Sequence, residues 1–205
     1  MTEKKGKFIT LEGSEGTGKT TQLKLLITHM KKRGIDFIQT REPGGTKIGD
    51  TIRRMLLSNK SEMSSITETL LYMASRSELV SEVIKPALDK GVCVVSDRWV
   101  DATLAYQGYG LGVDPQWIQA IAKEVVRDAV PDLTLLLDLS VAKGLGRAKL
   151  RGKLDRIELR STAFHQRVHM GYRKIAKQHS RFRQIAVTDI ESTHRKIVSF
   201  VDKLF

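Results

Sequence analysis

Eight consecutive residues of this 205-residue chain, Gly13-Ser14-Glu15-Gly16-Thr17-Gly18-Lys19-Thr20, have the types and spacing of a phosphate cradle, G-x-x-x-x-G-K-[ST]. Glycines let a backbone curl tightly enough to aim successive N–H groups at phosphate oxygens. A helix that starts at the end of the run adds its positive terminal potential. Lys19 has the reach for β- and γ-phosphates, and the Thr20 hydroxyl is a ligand for Mg2+. The run from Gly13 to Thr21 is therefore assigned to ATP, with Thr21 at the helix start, where packing or capping is the ordinary duty. Such a cradle holds a triphosphate; hydrolysis, transfer and mechanical work all use it.

Two acids stand at the ends of apolar strands as partners for the metal. Asp97 follows Val94-Val95-Ser96, and Asp138 follows Leu135-Leu136-Leu137. Asp97 is preferred, because its neighbour Arg98 can organise a second phosphate in the same crevice. Tyr72 and Arg76 are four apart on a predicted helix and can face one pocket. Lys143, Arg147 and Arg151 repeat the same spacing, so they share a face if their segment is helical.

The elements that must position these residues follow from periodicity. Phe8 to Leu11 is a short β-prone run ahead of the cradle, and Leu23, Leu26, Ile27 and Met30 form a helical stripe after it. Further strands are expected at Asp36 to Thr40, Val92 to Ser96, Leu133 to Leu139 and Arg183 to Val187. Helices are expected at Ile48 to Leu57, Ile66 to Val83, Trp117 to Val130, Ile157 to His179 and near the C-terminal end. The residues after Arg98 read as a polar loop, and the basic stretch 141–156 as a surface helix turning into a mobile cover. Strands alternating with helices imply an α/β fold with a five-stranded parallel sheet.

Composition sets the outer bounds. With 205 residues and 40% hydrophobic content, one packed domain spanning 1–205 is the default. A formal charge of +12 attracts polyanions, among them nucleotides and nucleic acids. Cys93 is the single cysteine, in an apolar run, which excludes an internal disulfide and suits a buried thiol. The polar start Met1 to Lys7 and the short run Phe8 to Leu11 make neither a signal segment nor a membrane span, so a cytoplasmic protein without a membrane partner is expected.

The ordered set of motifs resembles the bacterial thymidylate kinase family. It comprises the cradle with Glu15, Arg41-Glu42-Pro43-Gly44-Gly45, Arg53, Tyr72-Met73-Ala74-Ser75-Arg76, Asp97-Arg98, Tyr106-Gln107-Gly108 and Asp155-Arg156. The resemblance implies a P-loop nucleoside monophosphate kinase-like three-layer fold, ATP with Mg2+ as donor, thymidine monophosphate as acceptor and a homodimer, with no nucleic-acid partner. It also implies roles for residues that match the family's motifs. Arg53 and Arg98 would hold the acceptor phosphate, Tyr72 would stack on thymine, and Arg76 would meet a base carbonyl. Glu15 would contact the 3′-hydroxyl, and Tyr106 would exclude a 2′-hydroxyl. Thr103 and Gln107 would reach the base edge, and Pro43 would sit in a loop whose backbone approaches the nucleotide.

In the class resembled here the transfer-stabilising arginine comes from the cover, which points to Arg151 assisted by Arg147. Lys19, Arg98, Arg151, Arg147 and Asp97 make up the expected catalytic set, with Thr20 and Asp97 on the metal. Trp99 stands where the family usually carries a smaller ring, Lys149 replaces one cover arginine, and Gly144 and Gly146 lower the cover's helix propensity. The alternatives are a kinase for another nucleoside monophosphate, a nucleic-acid-stimulated ATPase and a regulatory nucleotide binder.

Overall fold

A computed structural model describes residues 5–205; the first part of the polar start Met1 to Lys7 lies outside the described residues. Five strands form one parallel sheet in the order β2-β3-β1-β4-β5. They are β1 (Phe8–Glu12), β2 (Phe37–Arg41), β3 (Cys93–Asp97), β4 (Leu133–Asp138) and β5 (Phe182–Ala186). The central strands β1, β3 and β4 are β-branched or leucine-rich and buried almost throughout, as strands covered on both faces must be, whereas the edge strands β2 and β5 carry exposed polar residues. Ile9, Leu11, Val95, Leu135 and Leu137 point to one face, against α1 (Lys19–Lys32) and α9 (Ile190–Val201). Phe8, Val94 and Leu136 point to the other face. That side is covered by α3 (Ser65–Leu79), α6 (Pro115–Val126) and α8 (Thr162–Gln178). Two helical layers enclosing the sheet make the three-layer α/β fold.

The register matters for chemistry. Leu11 and Arg41 both lie opposite Asp97, so the carboxyl ends of β2, β3 and β1 stop at one level. In an open parallel sheet the crevice beyond those ends is where ligands bind.

Several boundaries differ from expectation. The helix expected over Ile66 to Val83 is α3, followed without a break by a π-helical turn, Val80–Ile84, and by α4 (Lys85–Asp89). Pro86 has no N–H to donate, and the wider turn just before it accommodates that gap. The polar loop expected after Arg98 is helical: α5 (Val100–Thr103) runs into a second π-helical stretch, Leu104–Gly110. Gly110 permits close packing there, since a Cβ on it would lie 2.6 Å from the Phe164 ring of α8. Helix α6 starts earlier and ends sooner than Trp117 to Val130, with Asp114 as cap and Pro115 in the first turn. Helix α8 starts at Thr162 rather than Ile157, because Ser161 caps it and Asp155 holds Ile157 and Glu158 in turns. The basic stretch is α7 (Val141–Leu150) followed by turns. Among the described residues no helix is long and apolar enough to cross a membrane.

Candidate active site

The P-loop joins β1 to α1. Gly13, Gly16 and Gly18 have φ of 145°, 65° and 90°, backbone that side-chain-bearing residues rarely adopt. Gly18 is the N-cap of α1, and its first turn carries no acid to quench the helix's positive end. Lys19 folds over the loop and donates to the Gly13 and Ser14 carbonyls, each at 2.9 Å. Burial and the neighbouring Arg98 push its pKa down to about 8, against the pull of Glu15, Asp97 and Glu12.

One continuous cleft of about 1240 Å3 opens above the sheet's carboxyl edge. At one end it is lined by Glu15 to Thr21 and by Gln22 of α1. Gly13 and Ser14 are not on its wall: they contribute carbonyls to Lys19, and a Cβ on Gly13 would meet the Leu137 carbonyl at 2.6 Å. At the other end lie Pro43, Arg53, Tyr72, Arg76, Thr103 and Gln107. Asp97, Arg98 and Tyr106 line the middle, with Arg147 and Arg151 of the basic stretch also on the wall. Lys143 is absent from that wall.

Arg98 is held with unusual force. Its φ is 75°, in the left-handed region that costs a non-glycine residue energy. Its N–H donates to the Leu11 carbonyl at 3.0 Å, and its own carbonyl accepts from the Ser96 hydroxyl at 2.8 Å. The guanidinium donates to Glu15 at 3.0 Å and to the Tyr172 hydroxyl at 3.1 Å, and lies 4.8 Å above the Tyr106 ring. Burial opposes its charge, but Tyr106, Glu15 and Tyr172 together hold it firmly protonated. Glu15 also accepts from the Tyr106 hydroxyl at 2.6 Å. Burial alone would raise the Glu15 pKa, yet Arg98, Lys19 and Tyr106 bring it down to about 2.

Beneath this group lies Glu12, fully buried at the end of β1. One of its oxygens accepts the Trp99 N–H at 2.7 Å and the other the Tyr172 hydroxyl at 2.7 Å. Burial and the nearby Asp101 raise its pKa to about 8, against Arg98 and the two hydrogen bonds. Glu12 thus braces Arg98 from both sides, through the following backbone N–H and through Tyr172. Trp99, the larger ring, is itself buried, edge-on to Phe8 at 5.0 Å and 5.4 Å beneath the Arg76 guanidinium.

The far end is built from paired side chains. Arg76 is only 2% exposed and grips Glu42 with Nε at 2.9 Å and Nη2 at 2.5 Å, while Nη2 also donates to Thr103 at 3.0 Å. Its Nη1 faces only the Met73 sulfur at 3.2 Å, a weak acceptor. Burial raises the Glu42 pKa in spite of Arg76. Arg53 donates to the Pro43 carbonyl at 2.8 Å, and burial with the nearby Arg41 lowers its pKa. Burial raises that of Tyr72.

The two acids separate clearly in space. Asp97 lines the cleft, and its buried Oδ1 has no hydrogen-bond partner. Asp138 is absent from the cleft wall and accepts from His169 and Gln184, each at 2.6 Å. A buried carboxylate oxygen without a partner, in the same cleft as the Thr20 hydroxyl, fits a Mg2+ that takes most of its ligands from phosphates and water. Among the described residues no cluster of three or more His, Cys, Asp or Glu residues could hold a metal alone.

Sequence reasoning missed Glu12, Tyr172 and Glu68, which touch the expected residues from behind, and Glu158 on the cleft wall, and it named Glu42 in a motif without a role. It also missed the Val187–Glu191 segment, which lines the P-loop end of the cleft. The carboxyl end of the last strand was the available signal for that segment. Cys93 is buried, and burial pushes its thiol up to about 12.

The thymidylate kinase family model matches residues 11–197. A thymidylate kinase of an Exiguobacterium species is 48% identical over 175 residues, covering 85% of this chain and 82% of that protein. One from Halothermothrix orenii is 44% identical over 196 residues, covering 94% and 95%. The crystal structure of thymidylate kinase from Ehrlichia chaffeensis superposes with a TM-score of 0.78 at 32% identity, covering 96% of this chain and 99% of that one. With the family model spanning most of its length and relatives this similar over nearly all of it, the chain belongs to the thymidylate kinase family of enzymes.

Proposed function

We propose that the protein transfers the γ-phosphoryl group of ATP to the 5′-phosphate of thymidine monophosphate, giving the diphosphate and ADP. The observation that carries this reading is the single cleft, with a triphosphate cradle at one end and a base-sized pocket of Tyr72, Arg76 and Gln107 at the other. Lys19 and Arg98 both donate to the Gly13 carbonyl, at 2.9 and 3.2 Å, which sets two cations side by side where two anionic groups would otherwise repel.

In this mechanism the P-loop amides and Lys19 hold the donor. Thr20 and Asp97 would hold a Mg2+ brought with ATP, which would supply positive charge beside the phosphates. Arg98 and Arg53 orient the acceptor phosphate, whose oxygen attacks the γ-phosphorus in line. A P–O bond forms there as the bridging bond to the β-phosphate breaks. No protein nucleophile is required, since alignment and electrostatics suffice. Arg151 and Arg147 balance the charge developing in transfer. Arg151 first exchanges its present partner, the Glu158 carboxylate, for that anion. Tyr72 stacks on the base, and Arg76 Nη1 is the donor left for a base carbonyl. Glu15 takes the 3′-hydroxyl, and Tyr106, lying against it, leaves no room for a 2′-hydroxyl. Thr103 and Gln107 stand at the base edge, and Pro43 shapes the loop beneath Arg53.

The same proposal includes one domain over 1–205 with residues 141–156 as its lid, a cytoplasmic location where ATP is the donor, and a homodimer. Exposed apolar pairs on neighbouring helices, Ile48 and Met55 on α2 (Lys47–Leu57) and Ile66 and Leu70 on α3, support the dimer. The deciding assay is ATP-dependent conversion of thymidylate, deoxyuridylate, cytidylate, adenylate and guanylate side by side. Preferred conversion of thymidylate is expected; preferred conversion of a purine monophosphate would replace this reading with another kinase of the same class.

A further inference from the structure

Glu68 lies on α3, one turn before Tyr72, and is fully buried. Its Oε1 accepts from the side-chain amide of Gln107 at 2.9 Å. Its Oε2 accepts from Arg156 at 2.7 Å and from Arg160 at 2.6 Å. Arg156 is fixed in turn by its Nε, which donates to the Leu56 carbonyl at 2.8 Å. Two guanidinium groups from one segment thus anchor one carboxylate oxygen and leave the other facing Gln107.

A carboxylate oxygen of this kind accepts and does not donate, so only the NH2 group of Gln107 can face it. An amide whose NH2 is engaged turns its carbonyl the other way. Gln107 is 1% exposed and lines the base end of the cleft, so what it has left to present there is that carbonyl oxygen. Arg76 Nη1, with only a thioether for a partner, presents a donor to the same pocket. A donor beside an acceptor matches a pyrimidine edge carrying a C4 carbonyl and an N3–H. Cytosine offers the reverse, an exocyclic amine and a bare N3, and sets lone pair against lone pair at Gln107.

We propose that Glu68 is a specificity-determining residue acting through Gln107, whose amide it locks as an acceptor so that the pocket takes a 4-oxopyrimidine and rejects a 4-aminopyrimidine. This rests on the thymidylate reading above. The substitution Glu68→Gln removes the lock: the introduced side-chain amide can offer its own NH2 to the Gln107 carbonyl, and the Gln107 amide becomes free to turn over.

The test compares kcat/KM for thymidylate, deoxyuridylate and deoxycytidylate in the full chain and in Glu68→Gln. The thymidylate-to-deoxycytidylate ratio should fall by ~10-fold or more, the scale of one buried hydrogen-bond mismatch. The thymidylate-to-deoxyuridylate ratio should hold, because both bases carry N3–H. Losing the pairs to Arg156 and Arg160 can slow all three acceptors alike, and Arg160→Met reports that uniform effect by itself. A uniform fall in Glu68→Gln with the first ratio unchanged overturns the proposal. Failure of the parent enzyme to use thymidylate would instead overturn the functional reading, a distinct result. If Glu68→Gln does not fold, the Gln107 side-chain amide, assigned through Gln107→Met, is followed in the parent protein by 15N NMR. One strongly downfield proton that persists after thymidylate is added supports the lock; a collapse to solvent-exposed shifts on addition refutes it.

Discussion

The two ends of the cleft are made of different materials. The P-loop end is backbone, formed by consecutive residues whose glycines take conformations closed to other side chains. The opposite end is side chain, drawn from the loop after β2, α2, α3 and the helical stretch after β3, and fastened by buried pairs such as Arg76 with Glu42 and Gln107 with Glu68. Backbone amides recognise any phosphate chain, so that end supplies grip without choice. Fixed side chains present a defined order of donors and acceptors, so the other end supplies choice. On the proposal above, selectivity would rest on second partners such as Glu68 as much as on the groups that touch a ligand.

The comparison is broken most severely at Lys19, the cation the backbone end folds over its own loop. Lys19→Ala should lower kcat by ~10^3-fold or more with the fold intact by circular dichroism, on the scale of removing a preorganised cation from a transferring phosphoryl group. Near-normal turnover would remove Lys19 from the chemistry. The next largest effect belongs to the other end. Glu42→Leu leaves Arg76 charged, buried and unpaired, and should cost ~3–5 kcal/mol of stability in urea unfolding. A loss confined to acceptor KM, with stability unchanged, would mean the pocket tolerates an open pair.

Glu12 sharpens the comparison through pH. Its folded pKa, about 8, is raised above the ordinary 4.5, so the native state binds the extra proton between those values. Stability contributed by Glu12 is complete below about pH 4.5, declines as pH rises toward 8 and is then flat, with a slope of up to ~1.4 kcal/mol per unit. Glu15 runs the opposite way: its pKa, about 2, is depressed, so its contribution is present above 4.5 and is lost as pH falls through 2. Comparing Glu12→Gln with the parent across pH 5 to 8 isolates the first contribution. Parallel stability curves would show that the brace carries no proton.

The smallest effect separates two glycines of α7. A Cβ on Gly144 would strike the Glu15 carbonyl of the P-loop, whereas nothing lies within 4 Å of one on Gly146. Gly146→Ala should therefore stabilise by up to ~1 kcal/mol, as alanine does in a helix interior. Gly144→Ala should destabilise and raise KM for ATP. Equal gains from both would show that helix propensity alone governs this segment.

How much of this was legible follows from the same division. The P-loop is local in sequence, so Gly13 to Thr20 announced its place between β1 and α1, and the five strands were legible because short β-prone runs bounded by turns leave few other readings. The residues of the pocket wall could be named through motif resemblance. Their supports could not: Glu12 meets Tyr172 across 160 positions, and Glu68 meets Arg160 across 92. No periodicity links residues so far apart. The stretch after Arg98 reads as a polar loop, whereas it is helical and the missing side chain of Gly110 lets α8 pack close. Gly144 misleads: a missing side chain registers in a sequence as weakness, and the neighbour it makes room for does not.

That neighbour has a mechanical consequence. Where Gly16 and Gly144 meet, the backbones of the P-loop and of α7 bear directly on each other, and if the basic stretch moves as the proposed lid, this contact would be its fulcrum. Arg151 lies seven residues further on, a lever of ~10 Å at helical rise. A swing of ~20° about the glycine pair would carry the guanidinium ~3–4 Å, the length of one hydrogen-bonded contact, while the root of the arm stays against the loop that grips the triphosphate.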